Sequence, residues 1–128
     1  MITFIFNETL RIVETEFKGD ISEEDILEYM DVFKDNKTYP RHLKTLVDMT
    51  QTKFSFSYRS LKTFNLAKTE SLKHYHIVAS AIIVNNPATA AIATLYQAIA
   101  SNKKYKSKVF STRSAAIRWL EAFNFTDN

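Results

Sequence analysis

The sequence contains no cysteine, one glycine and two prolines among its 128 residues. Without cysteine the chain has no disulfide framework, no thiolate nucleophile and no cysteine-based metal site. The single glycine, Gly19, excludes a glycine-rich phosphate loop and disfavours a dinucleotide-binding turn, which needs several glycines at defined spacing. Nucleotide-dependent chemistry of these two kinds is therefore not expected.

The sequence also has no long hydrophobic run. The longest nearly apolar stretch, Ile77 to Val84, has eight residues, far short of the roughly 20 needed to cross a bilayer. The amino terminus carries no basic leader and no small-residue cleavage site, so we expect no secretory signal and a cytoplasmic protein. With 45% apolar and 24% charged residues, residues 1–128 are expected to form one domain.

The net charge is +3, but acidic and basic residues are concentrated in different parts of the chain. Residues 1–50 contain eleven acids and six bases, whereas residues 51–118 contain eleven bases and one acid, Glu70. Such polarity would steer an anionic partner or a second copy of the chain, giving a homodimer. The alternative is that the lysines are ordinary solvated faces.

Short apolar segments alternate with segments of helical periodicity. We predict strands at Ile2–Phe6, Leu10–Lys18, Leu43–Met49, Ile77–Val84 and Lys103–Phe110,. We predict helices from Ser22 to about Asn36, from a Ser57 cap over Tyr58–Lys73, from an Asn86 cap to about Asn102, and after a Ser111 or Thr112 cap,. The fold class is therefore α/β, with a mixed, mostly parallel sheet of about five strands, an antiparallel hairpin at the amino terminus and about four helices.

The carboxyl edge of the parallel strands is the predicted site, because open α/β sheets bind ligands there. We interpret the stretch from Asp48 to Ser57 as a polar turn at this edge. Three helix starts, with Arg59 and Arg113 close by, would offer N–H groups to an anion. The candidate rim residues are Asp48, Thr50, Phe54, Phe56, Ser57, Tyr58, Arg59, Lys62, Asn85, Asn86, Tyr96, Ser111 and Arg113.

Four of these rim residues are aromatic: Phe54, Phe56, Tyr58 and Tyr96. They would form the wall of an apolar cleft beside the anion sites. This combination predicts an amphipathic ligand with an acidic head, such as a fatty acid or lipid. The alternative is a rim that the same aromatic side chains pack shut.

No catalytic or metal-binding constellation is recognised. His74 and His76 would point the same way on a strand, but no third metal ligand can be assigned. Asp48, Ser57 and the histidines have no spacing that unites a nucleophile with a base. The basic residues lack the interleaved exposed aromatics of a nucleic-acid binder. We therefore expect no enzyme activity, no metal, no cofactor and no nucleic-acid partner.

The element order, a strand ending LVDMT and a late helix reading SAAIRWL resemble one family over about Phe4 to Phe123. This is the SpoIIAA-like branch of the sulfate transporter and anti-sigma factor antagonist (STAS) domain family. The resemblance implies a mixed sheet covered by helices and a regulatory module that binds a partner protein or an apolar ligand without catalysis. Within this branch it also implies ligand binding and membrane association.

The resemblance fails at one functional motif. Anti-sigma factor antagonists are phosphorylated on a serine of an Asp-Ser-Ser-Gly motif, and the matching residues here are Phe56, Ser57, Tyr58 and Arg59. The aspartate and glycine are missing and tyrosine replaces the usual acceptor. Ser57 remains beside the acceptor position, where a role as helix cap explains it, so the resemblance does not extend to switching by a kinase.

Two functions remain open at this stage. In the first, a protein partner binds the strand-end rim and the basic second helix, through Arg59, Lys62 and Lys68. In the second, the protein carries or senses an apolar anionic ligand and contacts the membrane surface peripherally.

Overall fold

Five strands and four helices alternate along the computed structural model, which describes residues 1–125. The elements are β1 Ile2–Asn7, β2 Ile12–Ile21, α1 Glu23–Lys34, β3 His42–Phe54, α2 Ser60–Ser71, β4 Ile77–Ile83, α3 Pro87–Ala100, β5 Tyr105–Phe110 and α4 Arg113–Ala122. The strands form one sheet in the order β1-β2-β3-β4-β5. The β1 and β2 strands are antiparallel and all other pairs are parallel, which confirms the predicted fold class.

Helices cover both faces of the sheet, three on one face and one on the other. Because α1, α2 and α3 each connect neighbouring parallel strands in the same direction, right-handed crossovers place them on the same face. Helix α4 follows the last strand and returns across the opposite face. There Ala116 and Leu120 pack against Leu46 and Ala79.

The central strand is longer than the sequence predicts. Strand β3 continues through Phe54, so the predicted polar turn that begins at Asp48 is wrong. Residues 51–54 of β3 pair with residues 18–21 of β2, after a register shift between Glu16 and Lys18. The Thr52 hydroxyl donates to the Gly19 carbonyl at 2.7 Å. Because strand β2 supplies backbone hydrogen-bond partners there, the polar residues at the end of β3 remain part of the sheet.

The first hairpin also differs from its prediction. Strand β2 begins at Ile12 instead of Leu10, and residues 8–11 form the connection. The side chain of Asn7 closes this turn by accepting a hydrogen bond from the Leu10 backbone N–H at 3.0 Å. Arg11 completes the turn with a positive φ of 59°.

Most of the predicted helix caps are present. Ser22 and Asp25 form a reciprocal capping box at α1. Asn86 caps α3, with Pro87 as its first residue, and Thr112 instead of Ser111 caps α4.

The cap predicted for α2 is wrong. This helix begins at Ser60, and its N-cap residue, Arg59, makes no side-chain cap hydrogen bond. Ser57 lies earlier, in a turn where its hydroxyl accepts from the Arg59 N–H at 3.3 Å. The first turn of α2 therefore has no side-chain cap, and the N–H groups of Ser60 and Leu61 donate to the carbonyls of Ser57 and Tyr58.

The inward face of α3 differs from the predicted stripe. Thr89, Ala93 and Ala100 are its buried residues. The sequence pattern of this helix predicts Ala91, Ile92, Leu95 and Ile99 as its inward stripe, but Leu95 and Ile99 are 43% and 41% exposed. The fully buried positions of this helix hold small residues, whereas the larger Ile92 and Tyr96 are only half-buried.

Candidate functional site: a cavity between the sheet and three helices

A cavity of about 120 Å³ lies between the sheet and helices α1, α2 and α3. Its walls are mainly apolar and aromatic. Strands β2, β3, β4 and β5 contribute one side, and the three helices contribute the other. The cavity lies where the two core clusters on this face meet, since it is lined by residues of both.

Aromatic side chains form much of the wall near the end of β3. The ring centres of Phe54 and Phe56 are 4.8 Å apart, and Phe56 lies edge-on to Phe64 of α2 at 5.0 Å. Phe54, Phe56 and Tyr96 are only half-buried, as is Met30 of α1. These half-buried residues mark where the cavity approaches the surface.

A row of polar groups crosses the sheet side of the cavity. The hydroxyls of Thr45 and Ser80 lie 2.6 Å apart on paired positions of β3 and β4. Burial raises the pKa of Tyr105, although its hydrogen bond with Ser80 acts in the opposite direction. These three hydroxyls therefore satisfy one another inside the apolar wall.

Lys68 brings a charged group to the same cavity. The residue is only 4% exposed. Its Nζ donates to the Ala100 carbonyl at 2.8 Å and lies 4.4 Å from the centre of the Tyr105 ring. Burial lowers the pKa of its ammonium to about 8. Among residues 1–125 no carboxylate forms an ion pair with it.

This environment corrects the prediction that Lys68 belongs to a basic surface. Sequence reasoning assigned Lys68 to a partner-binding surface, although either Ala67 or Lys68 fits an inward position of this helix. The signal for it was periodicity, because the inward positions of α2 are Leu61, Phe64, Lys68 and Ser71. A lysine in the apolar stripe of an amphipathic helix is exceptional, since lysine is almost never fully buried without a partner.

Tyr96 of α3 has a buried hydroxyl at the cavity. Within residues 1–125 that oxygen has no hydrogen-bond partner. Burial raises the pKa of Tyr96 far above its usual value, and the neighbouring Tyr105 adds to the effect. The phenol therefore remains neutral and retains one O–H to donate.

The structure brings only part of the predicted rim to this cavity. Phe54, Phe56 and Tyr96 line it, whereas Tyr58 is 66% exposed. Ser57, Arg59 and Lys62 are exposed around the start of α2, and Asn85 is exposed before α3. Asn86 uses its side-chain oxygen to cap that helix.

Other predicted rim residues lie on the opposite face of the sheet. Asp48 accepts hydrogen bonds from the N–H and hydroxyl of Thr50 at 2.8 and 2.7 Å. Arg113 forms an ion pair with Glu14, and both line a surface depression together with Asp48. Ser111 is exposed before α4. Adjacent strand residues point to opposite faces, so Asp48 and the cavity residue Met49 cannot serve the same site,.

On this second face, the opposite charges of Glu14 and Arg113 largely balance each other in their ion pair. Burial favours the neutral form of Glu14, but hydrogen bonds from Asn7 and Arg113 and the charge of Arg113 lower its pKa below the ordinary value. Because Arg113 is already paired with Glu14, it does not join the three aromatic residues in one anion site.

The histidines do not form a recognisable metal centre. His76 lies edge-on to His42, with ring centres 5.5 Å apart, and His74 lies in the turn after α2. The described part of the chain contains no group of three or more His, Cys, Asp or Glu residues suited to a metal ion. Within the same residues, no helix has the length and apolar character needed to span a membrane.

Comparison with known proteins identifies the fold and the family of this chain. A solved structure from Shewanella loihica PV-4, of an uncharacterized DUF3478 family protein with a SpoIIAA-like fold, matches with a TM-score of 0.63. The match has 16% sequence identity and covers 93% of each chain, which confirms the SpoIIAA-like fold. No curated protein matches the sequence. Residues 24–124 match the family described as a domain of unknown function, DUF7793. This chain therefore belongs to the DUF7793 family.

Proposed function

We propose that this protein is a non-enzymatic, STAS-like binding module that takes up a small apolar molecule between its sheet and helices α1, α2 and α3. The observation that carries the proposal is the cavity itself, with its almost entirely apolar lining. Ligand sites of this kind combine apolar walls with a few well-placed polar groups. Lys68 and Tyr96 are such groups.

The cavity volume limits the size of the ligand. An engineered apolar cavity of about 150 Å³ is known to hold benzene. A cavity of about 120 Å³ therefore fits one small ring or a chain of about six carbons. A fatty acid or lipid, the ligand suggested by the sequence, would require the helices to move apart.

The empty cavity lowers the stability of the protein, and a ligand-binding function explains why such a cavity is retained. Protein interiors have few voids larger than a water molecule. At about 24 cal/mol per Å³, a cavity of this volume destabilises the empty protein by roughly 3 kcal/mol. Lengthening a small wall residue such as Ala93 would remove part of that cost. A ligand would offset it as well.

Filling the cavity tests the proposal. We expect Ala93→Leu to raise the melting temperature and to abolish saturable binding of 1-hexanol, because its larger side chain occupies the ligand volume. The measurement is ligand-dependent thermal unfolding combined with NMR titration. Ala91→Leu, at an exposed position of the same helix, is the matched control and should bind as the wild type does.

Native mass spectrometry of freshly purified protein provides an independent test. An extra mass that disappears on denaturation and extracts into organic solvent would support a bound apolar ligand. Wild-type protein that carries no such mass and shows no saturable hexanol binding would contradict the proposal.

A second candidate function is recognition of a partner by the exposed face of α2 and the turn before it. Arg59 and Lys62 are exposed there, together with Tyr58 and Leu66, which are 66% and 67% exposed. This mixture of basic and apolar groups suits an acidic partner protein. Lys68 is excluded from the surface because it is buried.

Charge reversal tests this second function. Arg59→Glu combined with Lys62→Glu should abolish capture of a partner from lysate without lowering the melting temperature. Anionic phospholipid vesicles test peripheral membrane contact with the same variants. Capture that persists in the double variant would eliminate this surface.

A further inference from the structure

We infer that Lys68 and Tyr96 bind the carboxylate head of a small apolar acid inside the cavity. The inference rests on the proposed function, because it requires a ligand between the sheet and the three helices. It adds the chemical class of that ligand, a monocarboxylate of about six carbons in all.

The first argument is the incomplete set of contacts around Lys68. An ammonium has three N–H donors and no acceptor. One N–H donates to the Ala100 carbonyl, and the face of the Tyr105 ring attracts the charge. The carbonyl end of α3 adds a partial negative charge, but no carboxylate of residues 1–125 forms an ion pair with this ammonium,. A buried charge normally has an anionic partner.

The local sequence gives this lysine no acid to pair with. Glu70 is the one acid between residues 51 and 118, and it forms an exposed ion pair with Lys73 at 2.8 Å. A counterion for Lys68 would therefore have to come from outside residues 1–125. An anion in the cavity would supply it.

The second argument is the unused hydroxyl of Tyr96. Three buried side-chain atoms in residues 1–125 lack a partner, and the Tyr96 oxygen is the one whose residue lines the cavity. Thr45, Ser80 and Tyr105 already bond to one another. An ammonium and a phenol, both of which donate, are thus available to a ligand.

These two donors fit a carboxylate better than other anions. A carboxylate accepts through two oxygens and carries a single charge, which one ammonium balances. A phosphate has more oxygens and more charge than one lysine and one tyrosine satisfy. The apolar walls leave the remaining ligand volume to hydrocarbon.

Titration of Lys68 gives this interaction a pH signature. Lys68 contacts Ala100 of α3 and Tyr105 of β5, and Tyr96 of α3 and Tyr29 of α1 line the same cavity. All three tyrosines have raised pKa values and remain neutral through pH 9. Since Lys68 in the free protein has a pKa of about 8, carboxylate affinity should fall by up to tenfold per pH unit above pH 8.

The experiment compares hexanoate with 1-hexanol, an apolar probe of similar length without charge. At pH 7 we expect the wild type to bind hexanoate at least tenfold more tightly than 1-hexanol. Lys68→Met should lose at least tenfold in hexanoate affinity and keep its hexanol affinity. Tyr96→Phe should weaken hexanoate binding several-fold. Lys103→Met, at an exposed lysine that does not line the cavity, should behave as the wild type.

The outcomes separate this inference from the proposed function. Equal or weaker binding of hexanoate than of 1-hexanol by the wild type would overturn the carboxylate assignment while the cavity proposal stands. Saturable binding of neither probe would overturn both. If Lys68→Met does not fold, the wild-type preference and its pH profile still decide the question, and an affinity that is flat from pH 7 to 9 overturns the role of Lys68.

Discussion

At the scale of single residues, Lys68 combines the proposed binding role with a stability cost that can be measured. Its pKa is lowered by burial, which means that the surroundings disfavour the ammonium more than its contacts stabilise it. Binding sites often contain residues that lower the stability of the empty protein but contribute to binding of the ligand. The free protein should therefore become more stable when this charge is removed.

We predict that Lys68→Met stabilises the ligand-free protein at pH 7 by roughly 1 kcal/mol, because apolar isosteres of buried charges are often stabilising. Between about pH 8 and pH 10.5 the folded wild type binds fewer protons than its unfolded state, so its stability rises with pH,. The advantage of the variant should therefore shrink over that window. Urea unfolding at pH 7, 8, 9 and 10 measures the difference.

The tyrosines provide an internal reference for this experiment. Their raised pKa values make the folded state lose stability once unfolded tyrosines ionise, near pH 10 and above,. Both proteins share that loss, so it cancels from the comparison. A stability difference that stays constant from pH 7 to pH 10 would contradict the depressed pKa of Lys68.

At the scale of elements, the helix starts show how far local sequence rules reach. The capping box of α1 and the Asn86 cap of α3 follow from side chains and backbone groups three residues apart. Such contacts form within one turn and need no tertiary partner. The start of α2 is different, because Ser57 satisfies the Arg59 N–H in a turn that precedes the helix.

We predict that the two serines differ in their contribution to stability. Ser22→Ala should lower the free energy of unfolding by about 1 kcal/mol, since it removes an N-cap hydrogen bond. Ser57→Ala should change it by less than about 0.5 kcal/mol, as is usual for exposed positions. Chemical denaturation of both variants checks the contrast. Equal losses would show that Ser57 supports α2 as a cap does.

The carboxyl end of strand β3 is a boundary that local sequence rules did not predict. Its last residues read TQTKF, a composition that we interpreted as a polar turn. They form a strand because β2 lies beside them and supplies the paired backbone. β-structure depends on such non-local partners more than helices do. The end of β3 was therefore the least predictable boundary near the site.

At the scale of the whole molecule, the two edges of the sheet differ in charge. Strand β5 ends the sheet with Lys106 and Lys108, which oppose pairing with another strand,. Strand β1 forms the other edge and contains no charged residue, and its Ile5 is 70% exposed. Self-association is thus favoured through β1.

We predict that any concentration-dependent dimer of this protein pairs through β1. Ile5→Lys should then keep the protein monomeric at concentrations where the wild type associates, because it brings a charge to the edge. Sedimentation velocity over a concentration series measures this. Leu66→Lys, an exposed apolar position on α2, is the control. Association of Ile5→Lys that matches the wild type would place the interface elsewhere.

By itself, the sequence determined the order of the elements, the α/β class and most of the helix starts, because each depends on periodicity or on contacts within a few residues. It also placed Phe54, Phe56 and Tyr96 near one site. The tertiary structure alone decided which groups share a face. Because side chains alternate along β3, Asp48 points to the face opposite the cavity. Helix α4 packs on that opposite face, so Arg113 at its start lies there too. Helix packing, meanwhile, buried Lys68 against Ala100 and Tyr105. Those contacts join residues more than 30 positions apart, and local sequence patterns do not encode such distances.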